Sequence, residues 1–319
     1  MAETIKTAAA QENVVIESGD CAVTFLPALG GKIASISVRG RELLQGPLAP
    51  YGPRTQTMAF DESDASGWDE CLPSVNACTV ETAAGTASVP DHGDLWRVPW
   101  ELVASSSVCA TLRAECFSLP LALQRTTTLV ATEEGWRIRA DYQLTNTGDY
   151  TAPWSWVAHP SFAVEAGDRI VLPESVYELR LAYSRGERLG GEDATVSWPE
   201  AALAQGGHTD LSLVQPPDSG IGEKLFAGPL EAHQSWAALE RPGAGLRIRF
   251  RFDTAATPYL GMWICQGGWP AGSGPKQNCV TLEPSTSAFD SLAQTGSWSR
   301  TLAPGQTASW PMIVEIESI

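Results

Sequence analysis

The chain has 319 residues, 43% of them apolar and 18% charged, with a formal net charge of −16. That composition suits a folded protein with a sizeable core rather than a disordered one. Its 37 Asp and Glu against 21 Lys and Arg argue against nucleic acid as a partner and against an anionic membrane surface, since both need a basic face.

Residues 1–13 are predicted to form an N-terminal tail and 14–319 one large domain, with no linker, repeat or low-complexity tract between. The opening stretch, MAETIKTAAAQENVV, lacks an apolar core of signal-peptide length. No stretch approaches the roughly 18 apolar residues of a membrane span. A cytoplasmic location is therefore expected. The seven cysteines form no Cys-x-x-Cys pair and are predicted to be reduced core thiols.

Along the chain the dominant period is two. Residues 100–104 give a weak alternating segment and 111–117 a clearer one. In residues 136–144, Trp136, Ile138, Ala140, Tyr142 and Leu144 share one face, while Arg137, Arg139, Asp141 and Gln143 share the other. Side chains of a strand point alternately to opposite faces, so this is a half-buried strand. Residues 246–252, LRIRFRF, repeat the pattern more strictly, and 312–316 follow it. Helical spacing is scarce, with short helices expected only near 200–204 and 288–294. Many short strands with 29 Gly and 22 Pro predict an all-β sandwich or barrel of antiparallel sheets. Residues 51–77, 185–228 and 263–277 break the alternation and are predicted to be long loops, where sites usually sit.

The densest patch of unusual chemistry is DHGDLWRVPW, residues 91–100, which holds His92, Arg97, Trp96 and Trp100. His159 lies among aromatics in WSWVAHPSF, before Pro160, which restricts it to an extended backbone. On its local sequence it reads first as a core histidine bonded to backbone, with a proton donor to a bound ligand as the alternative. Glu283, in CVTLEPST, ends an apolar strand; it is either held over a pocket or caps the following Ser/Thr segment. Asp69 and Glu70 are adjacent acids, which in an extended chain point apart. Of twelve tryptophans, residues 68, 96, 100, 154, 156, 263 and 269 lie in or beside these segments. Aromatic faces with a few converging polar groups suit a small polar ligand such as a sugar. No phosphate-binding glycine loop and no His/Cys cluster is present, so neither a nucleotide nor a metal is expected.

The order His92-Gly93 with Arg97 and Trp100, then His159-Pro160-Ser161-Phe162, then Leu282-Glu283-Pro284, resembles the aldose 1-epimerase (galactose mutarotase-like) family. The resemblance runs from about Val14 to near the C-terminus. It implies a β-supersandwich of packed antiparallel sheets whose concave face holds a monosaccharide or related small sugar, and a reaction that needs no cofactor. It implies that Glu283 is the general base at the anomeric hydroxyl, His159 the general acid at the ring oxygen, and His92 a sugar-binding residue. Arg97, Trp100, Asp69 and Trp263 complete the predicted sugar-binding set. The sequence departs from the family in two ways. The Asn-Arg pair before the first histidine is absent, with Trp68-Asp69-Glu70 in that region, and no mid-chain acid takes the place used by galactose-specific members. Two other readings stay open: a non-catalytic sugar-binding protein, and a glycoside-cleaving or eliminating enzyme using Asp69 or Glu70 as a second acid.

Overall fold

The computed structural model describes residues 13–294 and 300–319, so most of the predicted tail lies outside the described residues. Two large antiparallel sheets share one hydrophobic core. The alternation read from the sequence is the reason. Strand Gly135–Asn146 buries every second residue, Trp136 through Asn146, and strand Leu246–Phe252 does the same with Leu246, Ile248, Phe250 and Phe252. Both belong to an eight-stranded sheet, with Thr307–Ser318 hydrogen-bonded between them. The weak segment near residue 100 becomes its exposed edge strand, Glu101–Ser105.

The second sheet has eleven strands and carries the candidate site. Its central run is Trp68–Cys71, Val157–Ala163, Asn278–Ser285, Tyr259–Gln266, Ile221–Ala227 and Glu178–Ser184, in that spatial order. All of these but Glu178–Ser184 are buried on both faces, so they do not alternate. That explains two corrections. The expected loops 185–228 and 263–277 overlap core strands of this sheet, the first holding all of Ile221–Ala227 and the second the end of Tyr259–Gln266. Expected loop 51–77 likewise contains strand Trp68–Cys71. Neither expected helix forms as such. Residues 200–202 are instead a short strand paired with His208–Asp210, and only a 3-10 turn, Leu292–Gln294, occurs near 288–294.

Register fixes which side chains meet. His159 pairs with Asp69, and the pairings Val157 with Ser285 and Ser161 with Thr281 set His159 level with Glu283. Glu283 pairs with Gly261, Gly261 with Phe226, and Phe226 with Arg180. Directly opposed residues share a sheet face. Asp69, His159, Glu283, Gly261, Phe226 and Arg180 therefore form one row on the face turned away from the core. The neighbouring row, Leu282, Met262, Leu225 and Leu181, is fully buried in the core itself.

Candidate active site

Over this row opens a cavity of about 620 Å³. Phe60, His92 and Trp269 wall one side, Arg180, Tyr183 and Trp263 the other, and His159 and Lys224 lie at its base. His159 Nε2 stands 3.7 Å from Glu283 Oε1, with His159 almost buried and Glu283 completely so. That gap is longer than a hydrogen bond. Glu283 Oε2 accepts a short hydrogen bond from the Lys224 ammonium, whereas Oε1 has no hydrogen-bond partner among the described residues. A buried carboxylate oxygen without a donor is costly and uncommon.

The electrostatics follow from burial and neighbours. Burial, together with the Asp290 carboxylate, pushes Glu283 up from the ordinary carboxylate range to about 7, against the pull of Lys224. Burial, helped by His92 and the Lys224 and Lys32 ammonium groups, holds His159 well below the usual histidine range. One acid and one imidazole in contact, the carboxyl raised and the imidazole lowered until their ordinary order is reversed, make a pair that can hold a single proton below about pH 7.

His92 is placed by its loop. It has φ of 58°, a region non-glycine residues rarely occupy. Its backbone N–H donates to Val75 O, and its Nδ1 lies 2.9 Å from Asp91 Oδ2. Its ring stacks on Phe60, with centroids 3.7 Å apart and planes within 4°. The next residue, Gly93, has φ of 66°, and a Cβ there would come 2.2 Å from Leu72 O, so glycine is required for the loop to reach the sheet. His92 and His159 meet edge to face at 5.4 Å.

Three residues expected to hold the ligand, Arg97, Trp100 and Asp69, do not line the cavity. Arg97 is almost buried and donates to Met58 O, Asp91 O and Gly93 O, which ties the Phe60 segment to the His92 loop. Its guanidinium is consumed by backbone carbonyls. Trp96 is buried beneath it, with Arg97 stacked 4.2 Å over its ring. Trp100 is a core residue that donates to Leu95 O and packs on Gly31. Asp69 shares the row of His159 but is locked to Lys32 at 2.6 Å, beside Arg54 and Asp64. The expected residues His92, His159 and Trp263 do line the cavity; Glu283 lies directly behind His159 and Lys224. Glu70, flanking Asp69, faces the core.

Sequence reasoning missed Lys224, Arg180, Asp290 and Phe60. Lys224 carried one signal: it is the charged residue inside IGEKLFA that follows a glutamate yet sits among apolar residues. Assigning 185–228 to loops hid it. Asp290 and Phe60 lie in irregular segments, where nothing in the local pattern separates a site residue from a turn residue.

Neither a family model nor a curated protein matches the sequence. Solved structures do. The Slr1438 protein of Synechocystis superimposes with a TM-score of 0.71 over 100% of both chains at 16% identity. A galactose mutarotase related enzyme from Lactobacillus acidophilus gives 0.66 over 96% of this chain and 98% of its own, at 15% identity. An aldose epimerase homologue from C. elegans gives 0.66 over 97% and 99%, at 12% identity. The chain has the galactose mutarotase-like fold. At such identities the likeness concerns the fold, which matches the all-β, packed-sheet architecture expected from the sequence.

Proposed function

We propose that the protein is a cofactor-independent aldose 1-epimerase that interconverts the α and β anomers of a monosaccharide or closely related sugar. The observation that carries this reading is the contact of His159 Nε2 with Glu283 Oε1 at the base of an aromatic-walled cavity. Ring opening needs one proton removed from the anomeric hydroxyl and one added to the ring oxygen. Glu283 takes the first and His159 supplies the second. The C1–C2 bond then rotates, and closure on the other carbonyl face returns both protons. The pair ends the cycle as it began, so the reaction consumes nothing.

The pair must therefore carry one proton. Above about pH 7 Glu283 loses it, and below the depressed range of His159 a second one is added. At rest that proton sits mainly on Glu283; the reacting form is the minor one of the same proton count, in which it has passed to His159 and Glu283 is free to accept. His92, with its Nδ1 engaged by Asp91, offers its other nitrogen to a sugar oxygen, while Trp263 and Trp269 supply apolar faces for the C–H side of the ring. A glycosidase would need a second free carboxylate, and the two nominated from the sequence are engaged elsewhere: Asp69 by Lys32, and Glu70 by Arg125.

The test is exchange NMR on a panel of free aldoses with wild type, Glu283→Gln and His159→Ala. Acceleration of anomer exchange on at least one sugar, lost by about a hundred- to ten-thousand-fold in either variant, is the expected result. Binding without any acceleration would leave a non-catalytic sugar-binding protein as the better reading.

A further inference from the structure

The cavity holds a charged chain that anomer exchange by His159 and Glu283 does not by itself require. Lys224 bonds to Glu283 Oε2 on one side and lies 3.4 Å from Asp290 Oδ1 on the other. Its ammonium also sits 5.4 Å from the centroid of the Phe226 ring. The lysine lines the cavity, whereas the carboxylate it holds lies behind it. Space for this contact is built into the opposing strand. At Gly261, paired with Glu283, a Cβ would stand 2.9 Å from Glu283 Oε2 and 3.2 Å from the Phe226 ring.

We propose that Lys224 is a positioning residue for Glu283: anchored against Asp290, its ammonium occupies Oε2 and leaves Oε1 as the one free oxygen, facing His159. The proposal rests on the reading of Glu283 as the group that exchanges the anomeric proton.

The physical need is plain. A carboxylate taken fully out of water favours its neutral form unless a cation compensates. Around Glu283 the charged and titratable groups are Lys224 on strand Ile221–Ala227, Asp290 beyond strand Asn278–Ser285, His159 on Val157–Ala163, His92 from its loop, Cys71 on Trp68–Cys71 and the buried Cys279 on its own strand. Burial keeps the Cys71 thiol neutral, and Asp290 acts in the wrong direction. Lys224 is the cation in direct contact, and its own affinity is raised by Asp290 and Glu283 despite burial. Asp290 thus keeps the lysine charged, and the lysine keeps Glu283 near 7 rather than higher. An affinity near the working pH lets one group both take and return a proton.

The experiment is a carboxyl-carbon NMR titration of the full chain carrying ¹³Cδ-glutamate, with Glu283 assigned by its loss in Glu283→Gln. In wild type the Glu283 signal should titrate near 7. In Lys224→Met it should move up by at least about one unit, a tenfold change in the ionised fraction, while Lys224→Arg should restore most of the shift. An unmoved titration in Lys224→Met overturns the proposal. Should that variant fail to fold, the wild-type Lys224 ¹⁵Nζ resonance decides: it must respond at the pH where Glu283 titrates, and a silent resonance overturns the proposal. Kinetics give a second readout. Loss of Lys224 should carry both limbs of the pH profile upward, because the ammonium depresses His159 as well as Glu283; a merely structural lysine would lower the plateau and leave the limbs in place. The carboxyl titration needs no substrate, so failure to accelerate any sugar would remove the epimerase reading while the titration still decides the role of Lys224.

Discussion

Among the described residues three glutamates are completely buried, Glu70, Glu223 and Glu283, and the first and last differ in how their oxygens are used. Glu70 lies between the sheets. Its Oε1 accepts from Arg125 at 2.8 Å and from the Tyr142 hydroxyl at 3.0 Å, and its Oε2 accepts from the Trp156 indole at 2.9 Å. Glu283 lies on the other face of the same sheet, with one oxygen held by Lys224 and the other without a donor among the described residues. Burial raises the proton affinity of both. Burial and a shifted affinity therefore do not mark a reacting group. On the proposed reading the mark is an unfilled oxygen beside a histidine and under a cavity. A carboxylate with both oxygens engaged cements a core; one left half-engaged keeps a place for a ligand proton.

That contrast can be broken by substitution. The largest expected effects are on catalysis at the cavity. Glu283→Gln and His159→Ala should each lower anomer exchange by about a hundred- to ten-thousand-fold with a circular-dichroism spectrum like that of wild type. On the core side the consequence is stability. Glu70→Ala leaves the Arg125 guanidinium buried without its partner and should cost about 3–5 kcal/mol, measured by urea unfolding. If Glu70→Ala instead lost activity at unchanged stability, the two carboxylates would have been assigned the wrong way round.

A smaller effect tests the space between strands. Gly261→Ala places a methyl 2.9 Å from Glu283 Oε2, and the carboxylate or the lysine must give way. We expect a drop of about tenfold in exchange rate, as a slight misplacement of a reacting group allows, with little change in melting temperature. Arg97→Lys refines the contrast from outside the cavity. Lysine cannot reproduce the guanidinium fork that bonds Met58 O, Asp91 O and Gly93 O. The variant should lose about 1–3 kcal/mol of stability from unfilled buried carbonyls, and a raised KM through the loosened His92 loop, more than a changed kcat.

Much of this was legible in the sequence where one face of a strand meets water. The alternation in 136–144 and 246–252 reports that asymmetry directly, and both strands form as expected. It fails for Ile221–Ala227, buried from end to end, where periodicity has nothing to report. The order of His92, His159 and Glu283 along the chain pointed to the residues that register and loop geometry then bring together. Arg97 misled because an arginine near a site histidine has the right chemistry for a ligand. Only the geometry shows its donors already engaged by backbone carbonyls. Trp100 and Asp69 misled for the same reason: residue type predicts capacity, and burial decides whether the capacity is free.

The most direct test of the central claim is the pH dependence of enzyme-catalysed anomer exchange, measured as kcat/KM on the best sugar of the panel. One proton shared by His159 and Glu283 predicts a bell. The rate should fall as pH rises through about 7, where Glu283 gives up the proton of the pair, and fall again at acid pH below the ordinary histidine range, where His159 gains a second. A catalysed rate that stays level across both regions, or an upper limb that persists in Glu283→Gln, would contradict the account.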